Sequence, residues 1–422
     1  MKAIVYPCTP FGTCVIPPSK SLSHRAIIAA ALASGTSIIE NISYSKDILA
    51  TIEAIRTIGA KITESGTTLT IQGIGTLQDL PQKMIDCNES GSTLRFFIPL
   101  ALDGRGPVRF VGHGRLMQRP LSVYERLFVP RGISWAPDGD TLTVQGRLQS
   151  GAYALPGDVS SQFITGLLLA LAGLPGTSTI AITTPLESRA YVELTRRAQA
   201  SFGVVSHWED DGQTLRIPGG QVPRSPGVLH VEGDWSHAAF YLTAGAIGNA
   251  GPVVLTGLEA DSAQGDRAIV HILRDMGADI RWEQGGVAAY PSRLHGVRVD
   301  ASQAPDLVPV LAVAMAAAQG ESRITGAARL RIKESDRLSA ICQALTAAGA
   351  DVCEQPDGLI VRGGRRLHSA RIDGCNDHRI VMAMAVAATA ADGGITICGA
   401  EAVEKSAPAF WSEFASLGGS AQ

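Results

Sequence analysis

The stretch Ser19-Lys20-Ser21-Leu22-Ser23-His24-Arg25 runs into an apolar segment at 26–34, stops at Gly35, and resumes as the alternating Thr36-Ser37-Ile38-Ile39-Glu40. The same order recurs at intervals of roughly seventy residues, a period that marks one supersecondary unit reused. The other apolar runs are 96–103, 163–173, 238–248, 307–319 and 380–392. Glycines at 106, 176, 251, 320 and 394 lead into further alternating stretches, which read as half-buried strands. A helical pattern then ends each copy at a turn glycine: Gly59, Gly132, Gly203, Gly277, Gly349 or Gly418. Strand and helix alternating in this way predict an α/β or α+β fold whose helices are covered by sheets.

Polar residues gather at one place in every copy, just ahead of the apolar run. Besides 19–25, these entries are Glu89-Ser90-Gly91-Ser92-Thr93-Leu94-Arg95, Val159-Ser160-Ser161-Gln162, Gly233-Asp234-Trp235-Ser236-His237, Pro305-Asp306 and Asn376-Asp377-His378-Arg379. Ser, Asp and Asn ahead of a periodic apolar run read as helix N-caps. The runs are apolar around most of their circumference, which predicts buried helices. A helix start offers unpaired N–H groups and partial positive charge, so it suits anions. Six ordinary capped helices would explain any one entry alone. The density of Lys, Arg, Ser and His at the entries points instead to a shared anion site.

Composition narrows the partners. The 422 residues allow two or three domains with sizeable cores. Lys and Arg number 36 against 39 Asp and Glu, which argues against the broad basic surface that nucleic acids require. Pro7 interrupts the N-terminus before a signal-peptide core could form. The apolar runs fall short of the ~18 residues of a membrane span, so no membrane partner is expected. Seven cysteines without a C-x-x-C pair read as reduced cytosolic thiols. The nine histidines show no zinc-ligand spacing, and no metal is expected.

Pro17-Pro18 and Pro223-Arg224-Ser225-Pro226-Gly227 are stiff joints of the kind found at domain boundaries. Copies one to three would form one domain over 18–226, and copies four to six another over 227–422. The strand-like 3–6 and 12–16 could join either.

The motifs carry a resemblance to a known family. Ser19-Lys20-Ser21-Leu22-Ser23-His24-Arg25 resembles the S-K-S-x-S-x-R signature of the 5-enolpyruvylshikimate-3-phosphate synthases, enolpyruvyl transferases of the shikimate pathway. Leu116-Met117-Gln118-Arg119-Pro120, Asp158-Val159-Ser160-Ser161-Gln162-Phe163, Ile332-Lys333-Glu334-Ser335-Asp336-Arg337, Asn376-Asp377-His378-Arg379 and Lys405 are similar to that family's later motifs, in its order. The resemblance implies two domains, each of three βαβαββ units with buried helices directed at an interdomain cleft. It also assigns residues 1–17 to the domain of 227–422. The activity implied is transfer of the enolpyruvyl group of phosphoenolpyruvate to the 5-hydroxyl of shikimate-3-phosphate with release of phosphate, in the cytoplasm and without a cofactor. It favours a monomer and a target of glyphosate.

By the same resemblance, Lys20, Gly91, Arg119, Gln162, Arg337, Arg379 and Lys405 hold phosphoenolpyruvate. Lys20, Ser21, Arg25, Ser160, Ser161, Gln162, Ser188, Tyr191, Asp306 and Lys333 hold shikimate-3-phosphate. Two polyanions held together need several cations, and the planar arginine fork suits carboxylate and phosphate. Glu334, Asp306 and Lys20 are the candidates for proton transfer. Read locally, Lys333, Glu334 and Arg337 could be an exposed helical charge face, Asp306 a simple cap, His378 a structural histidine and Arg119-Pro120 a turn. Their joint occurrence in family order favours the site. Glu89, Phe96, Arg329 and His24 depart from the family's usual residues, and Phe96 with Glu89 is expected to alter inhibitor response. The UDP-N-acetylglucosamine enolpyruvyl transferases share the fold, but their loop cysteine is missing from 113–120. A non-catalytic repeat protein binding an anionic metabolite is the other alternative.

Overall fold

Alanine and leucine have the highest helix propensities, and a run of them with no polar stripe can be stable only inside. The computed structural model describes residues 1–75, 84–283 and 285–422, and it makes each apolar run a helix. The six helices are Lys20–Leu32, Gly91–Leu100, Ser161–Leu171, Trp235–Ile247, Val308–Ala317 and His378–Thr389. Every residue of His378–Thr389 is buried, side chains on all faces included.

Sheets supply the cover. In the copy around Gly91 the strand order across the sheet is Met84–Asp86, Val108–Val111, Thr141–Gln145, Ser134–Asp138. The first pair is parallel and the other two antiparallel. A parallel pair needs a crossover, and the buried helix is that crossover. The register sets Ile85 beside Phe110 and Phe110 beside Leu142, so the period of two puts one apolar row on the inner face. Each fully buried Leu or Ile contributes about 1.5–3 kcal/mol relative to exposure.

Among the described residues six four-stranded sheets follow this βαβαββ plan. Three of them are completed by strands from distant parts of the chain. Val228–His230 lies parallel to Thr36–Glu40, and Gly12–Val15 parallel to Val253–Thr256. Lys2–Tyr6 fits antiparallel between Ile395–Cys398 and Ser420–Ala421. The glycines closing the second helices all have positive φ, from 76° at Gly203 to 102° at Gly59, the left-handed turn that lets a strand follow a helix.

The chain divides into two compact units, Pro18–Val231 and Met1–Pro17 with Glu232–Gln422. Strand Val228–His230, which lies beyond the proline-rich joint, goes with the residues before it. Each unit has its own apolar core, built round its three buried helices.

Candidate active site

In the unit Pro18–Val231, the starts of three buried helices carry the polar entries. Ser90 caps Gly91–Leu100 by accepting from Thr93 N, and Ser160 caps Ser161–Leu171 by accepting from Gln162 N. Ser19 makes no such bond to Lys20–Leu32, although a cap is expected there. Gly91 sits where three side chains converge. A Cβ there would lie 2.8 Å from an Arg95 nitrogen, 3.0 Å from an Arg119 nitrogen and 3.3 Å from Gln162 Oε1. A side chain there would have to push the ends of these side chains aside, and a helix-start N–H at this place suits an anion. Gln162 is fixed from both ends, accepting from Arg95 at 2.9 Å and donating to Ser92 at 3.0 Å.

Lys20 and Arg25 lie on successive turns of one helix. Lys20 Nζ pairs with Asp47 at 2.8 Å. Arg25 is buried, donating to Thr195 Oγ1 at 2.8 Å, Ser21 O at 2.6 Å and Tyr191 O at 3.0 Å, with its guanidinium 5.9 Å from the Tyr191 ring centre. Ser188, in a left-handed conformation, accepts through its carbonyl from Tyr191 N. Glu89 lies against Gly114, in the loop that leads to Arg119, and Phe96 packs inside the unit against Arg25.

The unit Glu232–Gln422 holds a denser cluster. Arg337, 2% exposed, donates from Nε to Asp377 at 2.8 Å, from Nη1 to Asp306 at 2.8 Å and from Nη2 to Glu334 at 2.7 Å. Burial disfavours its charge, but Asp377, Glu334 and Asp306 more than restore it and raise its pKa. Arg379 reaches the other Asp306 oxygen at 3.1 Å, and Lys333 stands 3.9 Å from the first. Burial opposes ionisation of Asp306, yet Arg379, Lys333 and Arg337 outweigh it and hold the carboxyl below the ordinary range. Lys333 is lowered to about 8, by burial of its ammonium first and by neighbouring Arg329 and Arg337, against the pull of Asp306. Asp377 caps His378–Thr389 by accepting from Arg379 N, and also accepts from Ser335. Lys405 donates to Asn376 O at 2.8 Å, which ties it to the same helix start.

Two local readings are corrected here. Lys333 and Glu334 precede the helix Arg337–Ala347 and Arg337 is buried, so the three are not an exposed helical face. Asp306 is not a cap either; it lies within the short turn Pro305–Leu307 and its carboxylate is drawn to Arg337 and Arg379. Arg337 and Arg379, expected to be anion ligands, are thus already engaged by carboxylates.

Asp47, Asp377 and Asp266 belong to these clusters without having been singled out as site residues. Asp266 is buried, accepts from Ser236, and is pushed up to about 6 by burial and the charge of Asp306, against the pull of Arg379. A signal existed: Asp47 and Asp266 each stand second in the second helical element of their repeat. Among the described residues no group of His, Cys, Asp and Glu is disposed to hold a metal ion. A cavity of about 520 Å³ lies elsewhere in Pro18–Val231, lined by Leu32, Leu100 and Leu169 at the far ends of the buried helices, and contains none of the clustered polar residues.

Comparison with known proteins bears on the family. The EPSP synthase (3-phosphoshikimate 1-carboxyvinyltransferase) family model matches residues 11–414. The chain is 45% identical to the 3-phosphoshikimate 1-carboxyvinyltransferase of Clostridium kluyveri, over 97% of this chain and 95% of that one. It is 44% identical to the protein of the same description from Clostridium acetobutylicum, over 98% and 97% of the two chains. A solved structure of EPSP synthase from Acinetobacter baumannii superposes with a TM-score of 0.84 at 26% identity, covering 100% of both chains. With its motifs in order and its repeats six in number, the chain belongs to the EPSP synthase (3-phosphoshikimate 1-carboxyvinyltransferase) family.

Proposed function

We propose roles for the clustered side chains in the family's reaction, which moves the enolpyruvyl group of phosphoenolpyruvate to the 5-hydroxyl of shikimate-3-phosphate and releases phosphate. The mechanism is addition followed by elimination. Glu334 delivers a proton to the methylene carbon of phosphoenolpyruvate while the 5-hydroxyl attacks the adjacent carbon. Asp306 orients that hydroxyl or takes its proton. Glu334, left as a carboxylate, then takes a proton from the new methyl group as phosphate leaves, with Lys20 assisting the departure. General acid–base catalysis of this kind asks nothing of a cofactor.

Phosphoenolpyruvate is held by Lys20, the Gly91 N–H, Arg119, Gln162, Arg337, Arg379 and Lys405. Shikimate-3-phosphate is held by Lys20, Ser21, Arg25, Ser160, Ser161, Gln162, Ser188, Tyr191, Asp306 and Lys333. The observation that carries the reading is the network of the buried Arg337 with Asp306, Glu334 and Asp377. A structural ion pair needs one partner, whereas this arrangement presents Asp306 and Glu334 at fixed positions beside cations. We also take the working form to be a cytoplasmic monomer, as the family resemblance favours.

Glu334→Gln tests the assignment. The amide keeps the size and an acceptor for Arg337 but has no proton to transfer. Turnover should fall by about 10²–10⁴, while shikimate-3-phosphate binding, measured by calorimetry, stays within a few-fold of the native value. Near-native turnover would move the acid role to another group.

A further inference from the structure

His24 is buried in the middle of the helix Lys20–Leu32, one turn below Lys20, and it joins a chain of hydroxyls that ends at another helix start. Its Nδ1 lies 2.7 Å from Thr51 Oγ1, Thr51 lies 2.7 Å from Thr93 Oγ1, and Thr93 donates to Ser90 Oγ at 2.7 Å. All four residues are fully buried. Ser90 is the cap of Gly91–Leu100, accepting from Thr93 N at 3.1 Å. The tie repeats one turn along: Lys20 pairs with Asp47 and His24 with Thr51, four residues on in each helix.

Two observations set the direction of the chain. Thr93 donates to Ser90, so Thr93 is free to accept from Thr51, and Thr51 from His24. That requires the imidazole hydrogen on Nδ1. Separately, His24 Nε2 is buried with no hydrogen-bond partner among the described residues and is the edge that a second hydrogen would occupy. A buried N–H without an acceptor is rarer and costlier than a bare lone pair, so the hydrogen again belongs on Nδ1. Burial first, then the charges of Lys20 and Arg25, hold the imidazole pKa well below its ordinary value, so the ring stays neutral. The Phe96 ring stands edge-on to it, with centroids 6.4 Å apart.

We propose that His24 is a positioning residue for the transfer reaction: through Thr51 and Thr93 it fixes the Ser90 cap and with it the Gly91 N–H beside Arg119 and Gln162. The inference rests on the reading of Gly91 as a phosphoenolpyruvate contact. His24 touches no substrate; its effect is on where the helix start stands.

The test uses side-chain geometry. The asparagine amide nitrogen occupies the position of His Nδ1, so His24→Asn keeps the donor to Thr51, whereas His24→Leu keeps bulk and loses it. His24→Leu is expected to raise the KM for phosphoenolpyruvate about tenfold, as for loss of one buried hydrogen bond. The kcat and the KM for shikimate-3-phosphate should stay within about twofold. His24→Asn should restore the native KM. Thr93→Val should reproduce the leucine effect, Thr93→Ser should not, and Thr93→Val added to His24→Leu should change nothing more. Equal KM values for the Leu and Asn variants, an equal shift for both substrates, or additivity in the double variant would overturn the proposal. If His24→Leu does not fold, the Thr93→Val and Thr93→Ser pair decides. Nitrogen NMR of the native imidazole gives a readout independent of turnover. A neutral ring protonated at Nδ1 is expected, and a ring protonated at Nε2 contradicts the relay even if the native protein proves inactive toward phosphoenolpyruvate.

Discussion

At the residue scale, the two helix-start clusters differ in how their charges are balanced. Around Gly91, Arg95, Arg119 and Gln162 come within 3.3 Å of where a Cβ would stand. Around Arg337, the buried Asp377 and the partly buried Asp306 and Glu334 are paired with guanidiniums. Lys333 lies beside this balanced set with a pKa lowered to about 8. Its sign is simple: the ammonium is charged below that pH and neutral above it. If Lys333 holds the phosphate of shikimate-3-phosphate, affinity should fall as the pH rises through about 8, because the neutral amine cannot pair with the anion. Calorimetry from pH 7 to 9 measures this, and Lys333→Gln should flatten the dependence. An affinity constant across that range would remove Lys333 from the phosphate. The motif Lys333-Glu334-Ser335-Asp336-Arg337 was legible in the sequence, but the burial of Arg337 was not. Burial depends on Asp306 and Asp377, which lie far away in the chain and meet Arg337 only in the folded unit.

At the element scale, the sequence was most readable where one residue type has one conformational reason. The apolar runs became helices and the closing glycines left-handed turns, because no other reading satisfies their composition. Caps were less legible: Ser90, Ser160, Asp234 and Asp377 cap their helices, whereas Ser19 does not and Asp306 is claimed by arginines. Gly203 and Gly358 separate two uses of glycine. At Gly203 a Cβ meets nothing, so Gly203→Ala carries only the left-handed backbone cost of about 1–2 kcal/mol. At Gly358 a Cβ would stand 1.8 Å from Ile324 O in the neighbouring strand, and at Gly286, its repeat equivalent, 2.0 Å from Leu255 O. Gly358→Ala must therefore push strands apart and should cost about 4 kcal/mol or more. Urea denaturation of both variants measures the difference; equal losses would contradict the account.

At the scale of the whole molecule, repetition was legible and strand exchange was not. Period and pattern revealed six copies, but residues 1–17 could not be assigned from their own composition. They belong with Glu232–Gln422 because Lys2–Tyr6 fills an inner place in one sheet and Gly12–Val15 the edge of another. Deleting residues 2–6 removes that inner strand and its buried Val5, leaving Ile395–Cys398 and Ser420–Ala421 without a common partner. Limited proteolysis of the deletion variant should degrade Glu232–Gln422 and spare a fragment within Pro18–Val231; native resistance throughout would contradict the exchange. Acceptor specificity belongs to this scale too, because the ligands proposed for shikimate-3-phosphate come from several repeats. Its direct measurement is phosphate release from phosphoenolpyruvate by the purified protein, with shikimate-3-phosphate and with UDP-N-acetylglucosamine as acceptors. Release with shikimate-3-phosphate and none with the nucleotide sugar is the predicted result, and equal or faster release with UDP-N-acetylglucosamine would contradict the account.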